Sequence, residues 1–167
     1  MSRCSALPYH HQPRWRRMLH CLRTLPWVCW YAMRVWWYLY RVDAPGTALP
    51  DWLASVERSA HGSLNPHACQ SVVHRIVTRS RKHRCLPRAL VLFAVLQHSS
   101  CSDVQFCLGV RPPVTPRSRF AHAWVETDGY PFGEGTNPRD SHRLLYTYPD
   151  PAHALSDTAP IVSTRHA

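Results

Sequence analysis

Cys85 and His122 are the two residues of this chain whose types and surroundings could do covalent chemistry. Cys85 stands at the head of an apolar, helix-like run, and His122 lies in the strand-like segment Phe120–Glu126. A helix N-terminus favours the thiolate form of a cysteine, and an imidazole can take the proton and return it. The pair therefore predicts nucleophilic thiol catalysis, with Cys85 as the nucleophile and His122 as general base and then general acid.

A carboxylate is needed to orient His122, and the hairpin that follows offers Glu134. If residues 127–129 form a three-residue loop with a bulge, His122 lies directly opposite Glu134 on the same face of the sheet. If residues 128–129 form a two-residue loop, Glu134 points to the opposite face. The sequence suits both turns, and the catalytic interpretation requires the three-residue loop. Asp140 is the alternative third residue if Glu134 points away.

Further groups near the pair could support the reaction. Arg84 and Arg88 flank the thiol and could hold the thiolate. The backbone N–H of Cys85 is expected to contribute to oxyanion stabilisation, and Gln70 is a candidate side-chain donor. The remaining thiols of the central region are expected to be packing residues: Cys69, Cys101 and Cys107.

The elements that must position these residues follow the order of helices first and strands afterwards. Asn65 with Pro66 predicts a helix start, and a second helix is expected over residues 85–97. The apolar period then changes to two and predicts strands over 104–110, 120–126, 130–134 and 144–148. This order predicts an α+β fold in which a helical N-terminal half packs on a small antiparallel sheet.

The N-terminal third reads as aromatic and helical. One helix is predicted after Trp15, and Thr24 is expected to cap a second, with Pro26 in its first turn. A short helix is expected over 51–58. The predicted organisation is a disordered N-terminus, a Trp-rich helical segment, a core domain and a flexible tail, over residues 1–14, 15–60, 61–148 and 149–167.

Composition restricts the partners and the cellular compartment. Twenty Lys and Arg against ten Asp and Glu give a net charge of +10, which suits an acidic peptide, nucleic acid or an anionic membrane. The chain contains no C-x-x-C motif among its seven cysteines, so no metal or cofactor is expected. An odd cysteine count without a cleavage site for a signal peptide favours a reducing compartment, and we expect a cytoplasmic protein.

Residues 25–40 raise the question of membrane contact. This apolar stretch of 16 residues is interrupted by Arg34. It is shorter than the roughly 20 residues that a spanning helix needs. A helix packed on its own domain or on a partner protein is favoured over an interfacial membrane helix.

Three motifs together resemble one enzyme family. They are Arg84–Leu90, with the sequence RCLPRAL, then Gly109–Arg111, then Phe120–Glu126, with the sequence FAHAWVE, followed by Asp128-Gly129. They resemble the transglutaminase-like leader peptidases of lasso-peptide biosynthesis, the B-protein proteases related to the microcin-processing enzyme. The resemblance covers residues 65–135.

The resemblance implies a papain-like cysteine protease fold with a Cys–His–Asp/Glu triad. Cys85 matches the nucleophile, His122 the base, and the third position falls at or near Glu134, where aspartate is commoner in the family. The implied reaction removes the leader from a ribosomally made precursor peptide. A partner cyclase, similar to asparagine synthetases, then closes the macrolactam ring.

The resemblance also bears on partners, because some members carry a fused leader-recognition domain. Too little strand-rich sequence precedes Asn65 for such a domain, so the chain is expected to be the split form and to need a separate recognition protein. The Trp-rich residues 27–40 are the expected docking surface, because clustered aromatic residues favour interfaces.

Other functions stay open on the sequence alone. A transglutaminase-like acyl transfer to an amine would use the same residues as hydrolysis. A non-catalytic basic module would bind a peptide or nucleic acid through residues 79–84 and 111–119. The chain shows no helix-turn-helix or RNP-type motif, so nucleic acid is not an expected partner.

Overall fold

The computed structural model describes residues 13–41, 45–56, 63–77, 85–111 and 121–150. Within these ranges the elements are α1 (Arg14–Arg41), α2 (Pro45–Ala54), α3 (Pro66–Val77), α4 (Cys85–Leu96), β1 (Val104–Val110), β2 (Ala121–Thr127), β3 (Tyr130–Pro131), a 3-10 turn (Pro138–Asp140) and β4 (Arg143–Tyr148). The predicted α+β order of helices and strands is confirmed. The predictions of a disordered N-terminus at 1–14 and a flexible tail at 149–167 lie almost entirely outside the described residues.

α1 is one continuous helix of 28 residues, so the prediction of two helices is wrong. Thr24 does not cap a helix; its hydroxyl donates to the carbonyl oxygen of His20 at 2.8 Å, inside α1. Pro26 removes one backbone hydrogen bond. Packing against α3 and α4 offsets that cost, because one buried stripe continues across the proline. The stripe consists of Thr24, Val28, Tyr31, Val35 and Tyr38.

The outward side of α1 is apolar along its C-terminal half. We call this surface the aromatic face; it comprises Trp27, Trp30, Met33, Trp36, Trp37 and Tyr40, all exposed. Arg41 lies over the Trp37 ring at 4.1 Å from its centroid. Within the described residues, no helix combines the length and the apolar character that crossing a membrane requires.

α2 begins earlier than the predicted helix at residues 51–58. It starts at Pro45, a residue that suits the first turn of a helix. Trp52 and Leu53 are buried, and the Trp52 ring lies 5.9 Å from that of Tyr38 on α1. The predicted end at Arg58 lies outside the described residues.

α3 and α4 begin where the sequence predicted. The side-chain oxygen of Asn65 caps α3 by accepting from the N–H of Ala68 at 3.1 Å. In α4, every side chain from Ala89 to Leu96 is buried. α4 contacts α1 and α3 as well as β1 and β2, so it is the central helix between the helical layer and the sheet. This packing fixes the position of its first residue, Cys85.

The sheet is antiparallel, in the order β3-β2-β1-β4, and β1 and β4 match their predicted spans to within one residue. Gly109 on β1 pairs with His122 on β2. A Cβ at Gly109 would lie 2.9 Å from the carbonyl oxygen of Arg143 and 3.0 Å from the Trp124 ring, so only glycine fits beside His122. Phe120, the predicted first residue of β2, lies outside the described residues.

The turn between β2 and β3 is a two-residue loop. Thr127 pairs with Tyr130. Asp128 and Gly129 have positive φ values of 52° and 78°, as a type I′ turn requires. The three-residue loop at 127–129, which the catalytic interpretation required, is therefore wrong. The two-residue turn matches the right-handed twist of the flanking strands.

β3 is shorter than the predicted strand, which extended to Glu134. After Pro131 the N–H of Phe132 still donates to the carbonyl oxygen of Val125 at 2.8 Å. Gly133 then adopts a positive φ of 76° and the chain leaves the sheet. The path of the backbone beyond Pro131 is set by this glycine and not by strand pairing.

Candidate active site

Cys85 is half-buried where the N-terminus of α4 meets β2. Its Sγ lies 3.8 Å from the carbonyl oxygen of Ala121, the first residue of β2. The first N–H groups of a helix have no partner within it and carry partial positive charge. The thiol therefore lies in a field that favours its negative form.

His122 is the second residue of β2, and its imidazole is the largest influence that lowers the pKa of the Cys85 thiol. The imidazole lies near two other rings. Trp124 stacks with it at a centroid distance of 5.9 Å, and His142 lies at 5.4 Å. These contacts restrict the orientation of the imidazole plane beside the thiol.

Glu134 reaches His122 although β3 ends before it. One carboxylate oxygen, Oε2, lies 3.6 Å from Nε2 of His122, an ion-pair distance longer than a hydrogen bond. The other oxygen, Oε1, accepts a hydrogen bond from Arg88. The inference that a two-residue loop turns Glu134 to the opposite face is wrong. Alternation of faces holds only within a strand, and the chain leaves the sheet at Gly133.

Gly133 and Gln70 position the backbone before Glu134. A Cβ at Gly133 would lie 2.6 Å from Nε2 of Gln70 on α3, so the Gln70 amide packs directly on this glycine. Gln70, the candidate oxyanion donor, therefore lies on the Glu134 side of the site.

The other predicted residues have different positions from those expected. Arg88 pairs with Glu134 instead of the thiolate. Arg84 lies outside the described residues. Asp140 is exposed in the 3-10 turn, and the carboxylate that contacts His122 is that of Glu134.

Cys85 and His122 shift each other's pKa toward a charged pair. The hydrogen bond with His122 is the main cause that lowers the pKa of Cys85, with a further contribution from the backbone of Ala123, and these outweigh burial. The pKa of His122 is raised to about 9, first by Cys85 and then by Glu134. Both shifts favour a thiolate beside an imidazolium in the pH range above the pKa of Cys85 and below that of His122.

Glu134 is held in its ionised form. Burial alone would raise the pKa of this carboxyl group. The contacts with His122 and Arg88 outweigh burial and lower the pKa. The site thus holds a negative charge beside Nε2 of His122.

An ion pair between buried Glu126 and exposed Arg139, which the sequence did not predict, lies on the sheet near His122. Glu126 is fully buried and accepts from Nε and Nη2 of Arg139 at 2.7 and 2.8 Å, and from Nε1 of Trp124 at 2.8 Å. Burial would raise the pKa of Glu126, but these partners outweigh it and lower the pKa. Strand parity placed Glu126 on the face of His122, whereas no sequence signal identified Arg139 as its partner.

The other central thiols are buried, as predicted. Burial raises the pKa of Cys69 to about 12 and that of Cys107 to about 11, and Cys101 is also buried. Cys69 and Cys107 are therefore protonated at neutral pH, and their raised pKa values contrast with the lowered pKa of Cys85. Within the part of the chain that the structure describes, no group of three or more His, Cys, Asp or Glu side chains could hold a metal ion.

A thiol of lowered pKa at a helix N-terminus beside a strand histidine, in an α+β fold, fits the class of cysteine peptidases and thiol acyltransferases. The sequence profile of the transglutaminase-like superfamily matches residues 21–147, and the chain belongs to this superfamily. No curated protein and no solved structure matches the chain. The family match confirms the predicted transglutaminase-like fold.

Proposed function

We propose that this protein is a cysteine peptidase that removes the leader peptide from a ribosomally made lasso-peptide precursor. The observation that carries the proposal is the arrangement of Cys85 at the start of α4, His122 beside its thiol, and the Glu134 carboxylate 3.6 Å from Nε2 of His122. Membership in the transglutaminase-like superfamily supports thiol-based acyl chemistry. The resemblance of the surrounding motifs to leader peptidases suggests the substrate class.

In the proposed first step, the thiolate of Cys85 attacks the carbonyl carbon of the scissile bond. The carbonyl oxygen becomes an oxyanion, and the backbone N–H of Cys85 at the start of α4 stabilises it. The C–N bond then breaks, and the imidazolium of His122 gives its proton to the leaving amine. The leader remains attached to Cys85 as a thioester.

In the second step, water hydrolyses the thioester. Neutral His122 accepts a proton from the attacking water, and the thiolate of Cys85 leaves, so the charged pair is restored. Glu134 contacts Nε2 of His122 and in this proposal orients the imidazole beside the thiol. Its negative charge stabilises the imidazolium in both resting and product states.

The proposal includes two partner proteins. A separate leader-recognition protein would dock on the aromatic face of α1, since large exposed apolar patches are enriched at protein interaction sites. An asparagine synthetase-like cyclase would take the released core peptide and close the macrolactam ring. We place the reaction in the cytoplasm, where the odd number of cysteines suits a reducing environment.

The test is cleavage of the precursor by the full chain. The chain is mixed with the precursor peptide and the recognition protein encoded nearby, and mass spectrometry should show one cut that releases an intact leader and core. Cys85→Ala should abolish the cut. Cys29→Ala, which removes an exposed thiol of α1, should leave it unchanged. Cleavage by Cys85→Ala at the wild-type rate would contradict the proposal.

Acyl transfer to an amine is the second candidate, because the superfamily contains both chemistries. The same three residues would act, and only the product distinguishes the reactions. Hydrolysis adds water to the acyl group, whereas transfer joins the acyl group to the amine. A non-catalytic basic module would instead bind the precursor without any change in its mass, and Cys85→Ala would bind equally well.

A further inference from the structure

A groove of about 750 Å³ lies between α1 and α3 next to the proposed active site. Side chains from residues 14–21 of α1 form one wall, and side chains from residues 67–75 of α3 form the other. Arg88 of α4 and Gly133, which precedes Glu134, complete its lining. We call this cavity the basic groove.

The side chains that line the basic groove carry positive charge and no negative charge. Its lining includes four guanidinium groups, those of Arg14, Arg17, Arg75 and Arg88, and no Asp or Glu side chain. Arg88 is paired with Glu134. The first turn of α1 has no acidic residue, so the partial positive charge of the helix N-terminus adds to that of the arginines. A negatively charged ligand is therefore the complement of this surface.

The part of the basic groove that Arg88 and Gly133 line lies close to the thiol. Arg88 follows Cys85 by three residues on α4, and side chains at that spacing lie about 5–6 Å apart at Cβ. Gly133 directly precedes Glu134, whose carboxylate contacts His122. A peptide with its scissile carbonyl at Cys85 would enter the groove within about two residues, at about 3.3 Å per extended residue.

We infer that the basic groove binds an acidic segment of the substrate peptide next to the cleaved bond. Guanidinium groups bind carboxylates in paired, charge-assisted hydrogen bonds. The walls formed by residues 14–21 and 67–75 extend about 10–12 Å at 1.5 Å per helical residue, which corresponds to about three extended peptide residues. The inference rests on the proposed peptidase function, because it treats the groove as a substrate subsite.

The lining of the groove favours a peptide over single-stranded nucleic acid. Nucleic acid sites combine a positive channel with aromatic side chains on which the bases stack. The residues that line the groove include no Trp, Tyr or Phe. Gln70 and Ser71 offer polar groups that can hydrogen-bond to a peptide backbone.

Fluorescence anisotropy with the full chain tests this assignment without requiring cleavage. The probes are fluorescein-labelled hexaglutamate, hexaglutamine and a six-nucleotide oligothymidylate, at physiological ionic strength. Arg17→Glu and Arg75→Glu each reverse one charge in a different wall of the groove. Arg23→Glu is the matched control, because Arg23 lies about two and a half turns after Arg14, on the opposite side of α1.

Hexaglutamate is expected to bind at least tenfold more tightly than hexaglutamine, and each groove variant to weaken that binding by about tenfold, since like charge replaces opposite charge. Arg23→Glu should change the dissociation constant less than about twofold, as expected of a distant charge at this ionic strength. Equal loss in all three variants would assign the binding to net charge and overturn the inference. Tighter binding of oligothymidylate, with the same loss in the groove variants, would make the groove a nucleic acid site.

The two proposals fail in different ways. If the precursor is not cut but hexaglutamate binds and responds to the groove variants, the peptidase proposal fails and the groove remains an acidic-peptide site. If the precursor is cut but hexaglutamate binds no better than hexaglutamine, the groove inference alone fails.

Discussion

Glu134 shares its carboxylate between two cations. One oxygen pairs with Arg88 on α4 and the other contacts His122 on β2. Arg88 helps to keep Glu134 ionised, and the ionised carboxylate helps to keep His122 protonated. The charge state of the His122 imidazole therefore depends on Glu134. The sequence predicted Glu134 beside His122 only if residues 127–129 formed a three-residue loop.

Glu134→Gln is expected to lower the pKa of His122 from about 9 toward its ordinary value of 6.5, because it removes the second-largest cause of the rise. An NMR titration of the His122 ring measures this shift. Asp140→Asn is the matched control and should leave the titration unchanged, since Asp140 is exposed in the 3-10 turn. A shift in Asp140→Asn and none in Glu134→Gln would transfer the orienting role to Asp140.

Cys85 should react with iodoacetamide faster than the other described thiols. Its pKa is lowered below the usual 9.0, mainly by His122, so His122→Ala should move the midpoint of the reaction to higher pH. Peptide mass spectrometry measures each cysteine separately. Cys69 and Cys107 are buried with raised pKa values and should stay unreactive, while exposed Cys29 controls for accessibility. A rate at Cys85 no higher than at Cys29 would contradict the thiolate–imidazolium pair.

The proposed peptidase should lose activity at both ends of the pH range. The imidazolium of His122 must donate a proton to the leaving amine, so kcat/KM should fall as the pH rises through about 9. On the acid side it should fall as Cys85 becomes protonated, below the usual cysteine pKa of 9.0. A pH–rate profile with a fluorogenic peptide tests this, and full activity well above pH 9 would contradict the assignment of His122.

At the scale of elements, local signals predicted the positions of Cys85 and His122 but not the route by which Glu134 reaches them. A capped helix, an alternating strand and an Asp-Gly turn each leave a signal within a few residues. The contact of Glu134 depends on Gly133, whose positive φ and packing on Gln70 involve α3, distant in sequence. The alternation of side chains between the two faces of a sheet does not apply to a segment that has left the sheet, so it could not predict the direction of the Glu134 side chain.

α1 also shows the limit of local sequence signals, because they predict a break in this helix that the structure does not have. Pro26 and Thr24 form a plausible helix start, and local propensity predicts a break there. The helix continues because a buried stripe on both sides of Pro26 packs on α3 and α4. Tertiary packing decided between two locally acceptable structures.

Gly129 and Gly133 provide a matched pair of substitutions. Gly129→Ala should cost about 1 kcal/mol, because alanine is strained at positive φ but its Cβ meets nothing within 4 Å. Gly133→Ala carries the same strain and also places a Cβ 2.6 Å from Gln70, so the backbone before Glu134 or the Gln70 side chain must move.

Urea unfolding together with the alkylation rate of Cys85 separates these two effects. Gly129→Ala should reduce stability and leave the alkylation rate unchanged. Gly133→Ala should reduce both, because displacement of Glu134 weakens the charge on His122. An equal alkylation rate in the two variants would mean that Gly133 does not position Glu134.

At the scale of the whole molecule, α1 carries two surfaces with different chemistry. Its N-terminal turns form a wall of the basic groove, and its C-terminal half carries the aromatic face. The helix of 28 residues is about 42 Å long. The proposed substrate subsite and the proposed docking surface therefore lie toward opposite ends of one rigid element.

Trp36→Asp is expected to abolish binding of the recognition protein and cleavage of the full precursor. The Trp36 side chain is 64% exposed, so the substitution should not unfold the chain. Binding is measured by size-exclusion chromatography or calorimetry with the recognition protein. Leu145→Asp, which adds the same charge at an exposed apolar position of β4, should bind normally. Normal binding by Trp36→Asp would exclude the aromatic face as the docking surface.

Four side chains are linked by successive contacts, and the first and last of them belong to the first turn of α4. Cys85 contacts His122, His122 contacts Glu134, and Glu134 returns to Arg88. Two of these contacts, Cys85–His122 and Arg88–Glu134, join the first turn of α4 to residues outside the helix. A displacement of α4 would therefore break both contacts. The packing of α4 on the sheet therefore maintains the contacts that lower the pKa of the Cys85 thiol. A chain whose α4 has not packed on the sheet would carry a Cys85 thiol with the ordinary pKa of a cysteine, so the acidity of this thiol would report whether the helix is in place.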